Sequence, residues 1–353
     1  MLTKPRLIRR SARPPDYETP TGLFDTWITP NDLFYVRSHL YTPSISLETW
    51  SLRIDGEVQN SFSAKLEDLK KFSVKTLTVT LECAGNGRSF FEPPVAGIQW
   101  QKGAVGTARW TGVRLADVLK KAEVTSAGKF VMFNGADEPI GLMPDFVRSL
   151  PMEKALHPDT LLVFEMNGEP LPLLHGFPLR LLVPGWEAAY SVKWLTHVRV
   201  LDREYDGFFV KTAYRFPKKP VAPGTLVSAA DTAPLAGLPV KSILTAPADR
   251  ADLPLAPTLV RGYAWAGEAE VSRVDVSTDR GATWQPAKLG ADRERYAWRA
   301  FEYLWTPGGP GHYSILARAT DTDGRVQPIV PSWNPSGYLW NVIERVSVNV
   351  KAS

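Results

Sequence analysis

Thr76-Leu77-Thr78-Val79-Thr80-Leu81-Glu82-Cys83-Ala84-Gly85-Asn86-Gly87-Arg88 is the stretch from which the rest of the chain can be read. Polar and apolar residues alternate strictly up to the cysteine. Leu77, Val79, Leu81 and Cys83 share one face, and Thr76, Thr78, Thr80 and Glu82 the other, which is the period of a half-buried strand. The strand ends in a thiol and gives way to a glycine-rich turn that carries Arg88. Next to an arginine, a thiol is in surroundings that hold it as a thiolate, the form that binds metals or attacks electrophiles. A lone cysteine is also often a small inert hydrophobe, and this stretch alone leaves both readings open.

Cys83 is the only cysteine in 353 residues. That excludes an internal disulfide framework, a Cys-x-x-Cys-His haem attachment and any multi-cysteine zinc site. A chain of this length suggests two domains, each able to bury a core. The 41 basic and 37 acidic residues leave a net charge of +4, too mild to argue for nucleic acid. No apolar run approaches the roughly 20 residues of a membrane span. Lys4, Arg6, Arg9, Arg10 and Arg13 make the N-terminus basic, and it reads as a solvated tail. Arg9-Arg10 lacks the apolar segment of a twin-arginine signal. The sequence as it stands therefore reads as cytoplasmic, or as periplasmic if it is a mature form.

Residues 1–30 are proline-rich and are expected to wrap over a surface. The next segment mixes strand patterns with a few helices, the clearest helix being Thr111–Glu123, with Leu115, Val118 and Leu119 on one stripe. Leu161–Phe164 reads as a strand closed by Asn167-Gly168, a turn signal. Phe177, Leu179, Leu181 and Val183 alternate, as do Val192, Trp194, Thr196, Val198 and Val200. Five prolines between Phe216 and Pro239 suggest a linker over residues 216–240. Beyond it come short strands: Val274 and Val276 before the hairpin turn Asp279-Arg280-Gly281, and Val346, Val348 and Val350 near the end. The expected fold is α+β: a mixed α/β domain over 1–225 followed by an immunoglobulin-like β-sandwich over 226–353.

Other motifs are weaker. Gly85-Asn86-Gly87 lacks the third glycine of a dinucleotide loop, because Phe90 stands there. His175-Gly176-Phe177-Pro178-Leu179-Arg180 through Lys193 places three cation-capable groups around short strands. They could hold a phosphate, with Arg180 able to pair bidentately, or Arg180 and Lys193 could be ordinary solvated residues.

Together these segments resemble the sulfite oxidase family of molybdenum enzymes over nearly the whole chain. In that resemblance Cys83 is the one protein ligand to the metal, and one molybdenum–molybdopterin is held per chain, with no haem. His175, Arg180, Ser191 and Lys193 match positions that bind the pterin's phosphate and pyran parts. Asn134-Gly135-Ala136-Asp137 matches a region whose aspartate, Asp137, takes a pterin nitrogen. Phe34-Tyr35-Val36-Arg37-Ser38-His39 resembles a motif whose arginine faces substrate while Tyr35 and His39 contact the cofactor. Asp202-Arg203-Glu204-Tyr205-Asp206-Gly207-Phe208 resembles the segment of the active-site tyrosine, which puts Tyr205 in that role. Trp100 takes that of the pocket tryptophan, and Arg88 joins Arg37 in drawing in the anion.

The implied activity is oxidation of sulfite to sulfate, with two electrons passed to an external acceptor such as a cytochrome c. The alternatives are sulfane or nitrate chemistry on the same fold, or a non-enzymatic binding protein. The implied assembly is a homodimer through the second domain. One position departs from the pattern: Ser336, in Trp333-Asn334-Pro335-Ser336-Gly337, stands where animal enzymes carry a substrate-facing arginine.

Overall fold

In the computed structural model, which describes residues 3–139 and 141–352, the thiol-bearing strand runs from Val74 to Glu82. It pairs antiparallel with Val105–Arg114 along its whole length. Leu161–Met166 lies on the far side of that neighbour and is itself flanked by Glu169–Pro170 and Arg180–Leu182. A second sheet runs Phe62–Ala64, Leu52–Gly56, Leu195–Leu201, Phe130–Gly135, Arg148–Pro151. Within it, Leu195–Leu201 is parallel to Leu52–Gly56.

From Thr78 onward both faces of the thiol strand are buried. Val79 and Leu81 enter an aromatic-rich core with Trp100 and Trp110. Thr78, Thr80 and Glu82, the supposed solvent face, are also covered. The cover comes from the C-terminal domain. Trp298 N donates to the Thr80 hydroxyl at 2.8 Å, and Thr80 N donates to the Tyr296 carbonyl at 2.9 Å. Glu82 accepts from Lys241 Nζ at 2.7 Å and from Trp265 Nε1 at 2.8 Å. Alternation reports which residues are polar; here the polar row meets polar partners of a second domain instead of water, which satisfies groups that burial would otherwise penalise.

The helix expected over Thr111–Glu123 starts later, at Leu115, and runs to Ala122. Thr111–Arg114 belong to the strand, where Thr111 and Val113 suit a pleated surface and both edges are paired. Gly112 lies against the neighbouring strand, where a Cβ would sit 2.1 Å from the Leu162 carbonyl oxygen. Leu115, Val118, Leu119 and Ala122 form the buried stripe. Asn167 and Gly168 both adopt positive φ, 57° and 82°, as a tight hairpin turn requires. Of the Phe177–Val183 alternation only Arg180–Leu182 is strand.

The N-terminal segment does wrap the surface, as a hairpin of Ile8–Ala12 and Pro15–Glu18. It is not a solvated tail: Arg10 pairs with Glu18 at 2.5 Å, and Lys4 is buried. The proline-rich connection is likewise tied down, with Arg215–Pro217 pairing antiparallel to Thr232–Pro234 and Leu235 and Leu238 buried. Beyond it, four- and five-stranded sheets pack around Val260, Phe301, Ile315, Val346 and Val348 as a β-sandwich. The Asp279-Arg280-Gly281 turn is present, with φ of 64° and 91° at its last two residues. Among the described residues no helix is long and apolar enough to cross a membrane.

Candidate metal and cofactor site

Cys83 follows the strand's last residue and is fixed by its backbone. Its N–H donates to Ala104 O at 2.9 Å, and its carbonyl accepts from Asn86 N at 2.8 Å. The Asn86 side chain links the turn to both neighbours, donating to Glu82 and accepting from Ala104 N. Gly87 needs to be glycine twice over: φ is 95°, and a Cβ would sit 2.7 Å from Trp340. The turn thereby delivers Arg88 beside the thiol. Arg88 Nε donates to the Ser336 carbonyl at 3.0 Å and Nη1 to the Ile98 carbonyl at 3.1 Å.

The thiol lies at the junction of two cavities. The outer one, about 440 Å³, is lined by Arg37, Arg88, Trp100, Tyr214, Ser336 and Tyr338, among others. The inner one is lined by Tyr35, Arg37, His39, Asp137, His175, Arg180, Ser191 and Lys193. The sequence-derived set is thus brought together, with one exception. Tyr205 lines neither cavity; it is half-exposed, near Asp145 and Asp206. Tyr214 lines both cavities, its hydroxyl 2.6 Å from His39 Nε2 and its ring stacked on Tyr338. Tyr214 has φ of 55°, an unusual backbone state for a bulky residue. No local sequence signal marks it, because its partner His39 is 175 residues away.

Electrostatics explain what the site lacks. Burial pushes the Cys83 thiol up to about 11, against the pull of Arg37 and Arg88. Burial thus outweighs the two arginines, and of the two readings the sequence leaves open the thiolate needs a further cation such as a metal. Inside the inner cavity, burial lowers Lys193 to about 7 and Arg180 to about 10. Lys193 donates to the Ser38 hydroxyl and the Leu174 carbonyl, and Arg180 to the His175 carbonyl. Arg180 Nε, buried, has no partner. These are buried cations short of an anion. Asp137 is raised to about 6 by burial, with Lys193 opposing. Arg37 is anchored by Asp16 at 3.3 Å.

The arrangement fits a cofactor that brings its own metal ligands and an anionic tail. One soft thiol is present, and among the described residues no group of three His, Cys, Asp or Glu could hold a metal by themselves. The orphaned guanidinium nitrogen and the lowered lysine match a phosphate group.

Comparison with known proteins agrees with this geometry. Residues 39–209 match the oxidoreductase molybdopterin binding domain, and residues 233–351 the Mo-co oxidoreductase dimerisation domain. The chain is 39% identical to the mitochondrial sulfite oxidase of Homo sapiens over 98% of its own length and 66% of that protein's. It therefore spans about two thirds of the mammalian relatives. Against the sulfite oxidase of Arabidopsis thaliana it is 32% identical, over 95% of this chain and 92% of that protein. The crystal structure of the sulfane dehydrogenase SoxCD from Paracoccus pantotrophus superposes with a TM-score of 0.84 at 28% identity, covering 97% of this chain and 88% of that one. With both domains matched and Cys83 set between a cationic cavity and an arginine-lined one, the chain belongs to the sulfite oxidase family of molybdenum enzymes.

Proposed function

We propose that this chain holds one molybdenum–molybdopterin and oxidises sulfite to sulfate, passing two electrons to an external acceptor such as a cytochrome c. The observation that carries the proposal is the single thiol at the junction of two cavities that are each lined by buried cations. Cys83 would ligate the metal as thiolate. Arg180 and Lys193 would hold the phosphate, with His175 beside them. Ser191 already accepts from Val183 N at 3.1 Å, so its hydroxyl proton is available to the cofactor. Asp137 would accept from a pterin N–H, and Tyr35 and His39 complete the wall. When bound, the cofactor supplies the oxygen-atom transfer and the two-electron redox change.

The chain's own part is anion capture and proton control. Arg37 and Arg88 are each held by protein acceptors and retain further N–H groups for a small oxyanion. Trp100, fully buried with its Nε1 lacking a partner, walls the same space. The Tyr214 hydroxyl, 2.6 Å from His39, is placed to hold or release a proton at the cavity junction. We extend the proposal to the division of the chain near residue 225 and to a homodimer formed through the C-terminal sandwich, supported by the match of residues 233–351.

A second reading, oxidation of a sulfane sulfur, is favoured by one observation: the outer cavity presents Ser336 instead of a further arginine and is roomy at about 440 Å³. Metal and pterin analysis of the purified protein, with sulfite-dependent reduction of ferricyanide or cytochrome c, tests the main reading. Cys83→Ser should stay folded and keep pterin but lose nearly all turnover, since a hydroxyl is a poorer ligand to such a metal. Metal-loaded protein inert to sulfite but active on a sulfane donor would select the second reading.

A further inference from the structure

Lys4 is a buried lysine contributed by the N-terminal segment, outside the matched residues 39–209. Its amine nitrogen donates to Asn31 O at 2.6 Å and Phe34 O at 2.8 Å, and lies 2.7 Å from His175 Nε2, which accepts when the ring proton is on Nδ1. An ammonium has three N–H donors and no lone pair, so the three contacts saturate it. Asp32 acts on it only from a distance and is itself paired with Arg6. A buried lysine without a carboxylate is costly unless something else rewards the charge.

We propose that Lys4 is a positioning residue of the cofactor site, acting through His175; this rests on the functional reading above. With Nε2 accepting from the ammonium, the ring proton is confined to Nδ1. His175 then meets the cofactor's phosphate as a donor of fixed tautomer and orientation. The ring is also held edge-on to Phe34, 5.5 Å between centroids, and interacts with the Asn31 backbone, while the His175 backbone carbonyl accepts from Arg180. Lys4 also adds charge behind the ring. Burial pulls it down to about 7 in the protein alone, and a bound phosphate would restore its proton. The segment ahead of the N-terminal hairpin thus supports the wall of the cationic cavity through His175.

The test uses the full chain as Lys4→Met, Lys4→Arg, His175→Gln and the double variant Lys4→Met/His175→Gln. Molybdenum and pterin per chain are followed during prolonged dilution. Unfolding by urea is measured in parallel on cofactor-free protein. Lys4→Met should lose cofactor roughly tenfold faster, the scale seen when a histidine's outer partner is removed. Lys4→Arg should recover much of the loss. The double variant should be no worse than His175→Gln, because Lys4 acts through that ring. Nitrogen-15 shifts of the His175 ring should report Nδ1–H in the wild type and a mixture of tautomers in Lys4→Met. Unchanged retention in Lys4→Met would overturn the proposal. So would multiplied losses in the double variant, or a loss of cofactor-free stability large enough to explain the release. If the wild type carries neither molybdenum nor pterin, the functional reading fails, while the ring's tautomer still decides the role of Lys4.

Discussion

Lys241 Nζ donates to Glu82 Oε1 across 2.7 Å inside the interface between the two domains, one residue before the thiol. Both side chains are about 95% buried. Breaking a buried pair leaves an uncompensated charge, which costs roughly 3–5 kcal/mol. Lys241→Met should therefore destabilise the protein by that order in urea unfolding. Adding Glu82→Gln should return much of it, because the stranded charge is then gone. A Lys241→Met variant as stable as wild type would show that the pair does not couple the domains.

Tyr214 and Tyr205 separate cleanly in kinetics. Tyr214→Phe deletes a hydroxyl 2.6 Å from His39 at the cavity junction. The lost hydrogen bond, about 0.5–1.5 kcal/mol or more if His39 is left unsatisfied, should lower kcat/KM for sulfite by roughly tenfold. Tyr205→Phe, at a residue that lines neither cavity, should change it less than about twofold, the scale of a neutral surface change. Steady-state rates in which Tyr205→Phe is the more damaging variant would return the role to Tyr205.

Ser336 presents its carbonyl to Arg88 and its side chain to the outer cavity. Ser336→Arg should tighten sulfite and sulfate binding at low salt, with the gain shrinking as ionic strength rises, because screening weakens a partly solvated charge. The measurement is KM and sulfate inhibition at two ionic strengths. Weakening by the same factor at both would mean that the longer side chain obstructs the cavity.

Two buried lysines, Lys193 of the cationic cavity and Lys4 behind His175, are each lowered by burial to about 7 from an ordinary 10.5. Between those limits the unfolded chain binds more protons than the folded one, so their contribution makes stability rise with pH. It is smallest below about pH 7 and is fully developed near 10.5. The difference in unfolding free energy between wild type and Lys193→Met, both cofactor-free, should accordingly shift in favour of the wild type from neutral to alkaline pH. Cofactor loading, by restoring the charges, should flatten that dependence. A difference independent of pH, or one moving the other way, would refute the depressed lysines.

The parts of the site legible in sequence are those whose chemistry is written within a few residues. Cys83 sits in a strand–turn pattern, and His175, Arg180 and Lys193 in one short segment, so each was a candidate from local pattern, and the family resemblance chose between its two readings. Tyr214 did not, because its role depends on a left-handed backbone and on His39, both set by tertiary structure. Tyr205 was the more visible tyrosine because the segment Asp202–Phe208 around it resembles a family motif. Thr80 and Glu82 read as a wet face because polarity in a strand looks the same whether it meets water or Trp298 and Lys241. The helix expected from Thr111 lost its first turn to strand pairing, which local pattern does not record.

The reach from Lys4 to His175 spans 171 residues of chain. At ribosomal rates of about 5–20 residues per second, the lysine leaves the ribosome on the order of ten seconds or more before its partner exists. Through that interval the leading segment has nothing to close over, and a cavity able to accept a bulky prosthetic group has yet to be walled. The order of synthesis therefore places the contact between Lys4 and His175 after the making of the segment that carries the histidine, and leaves the lysine without that partner until then.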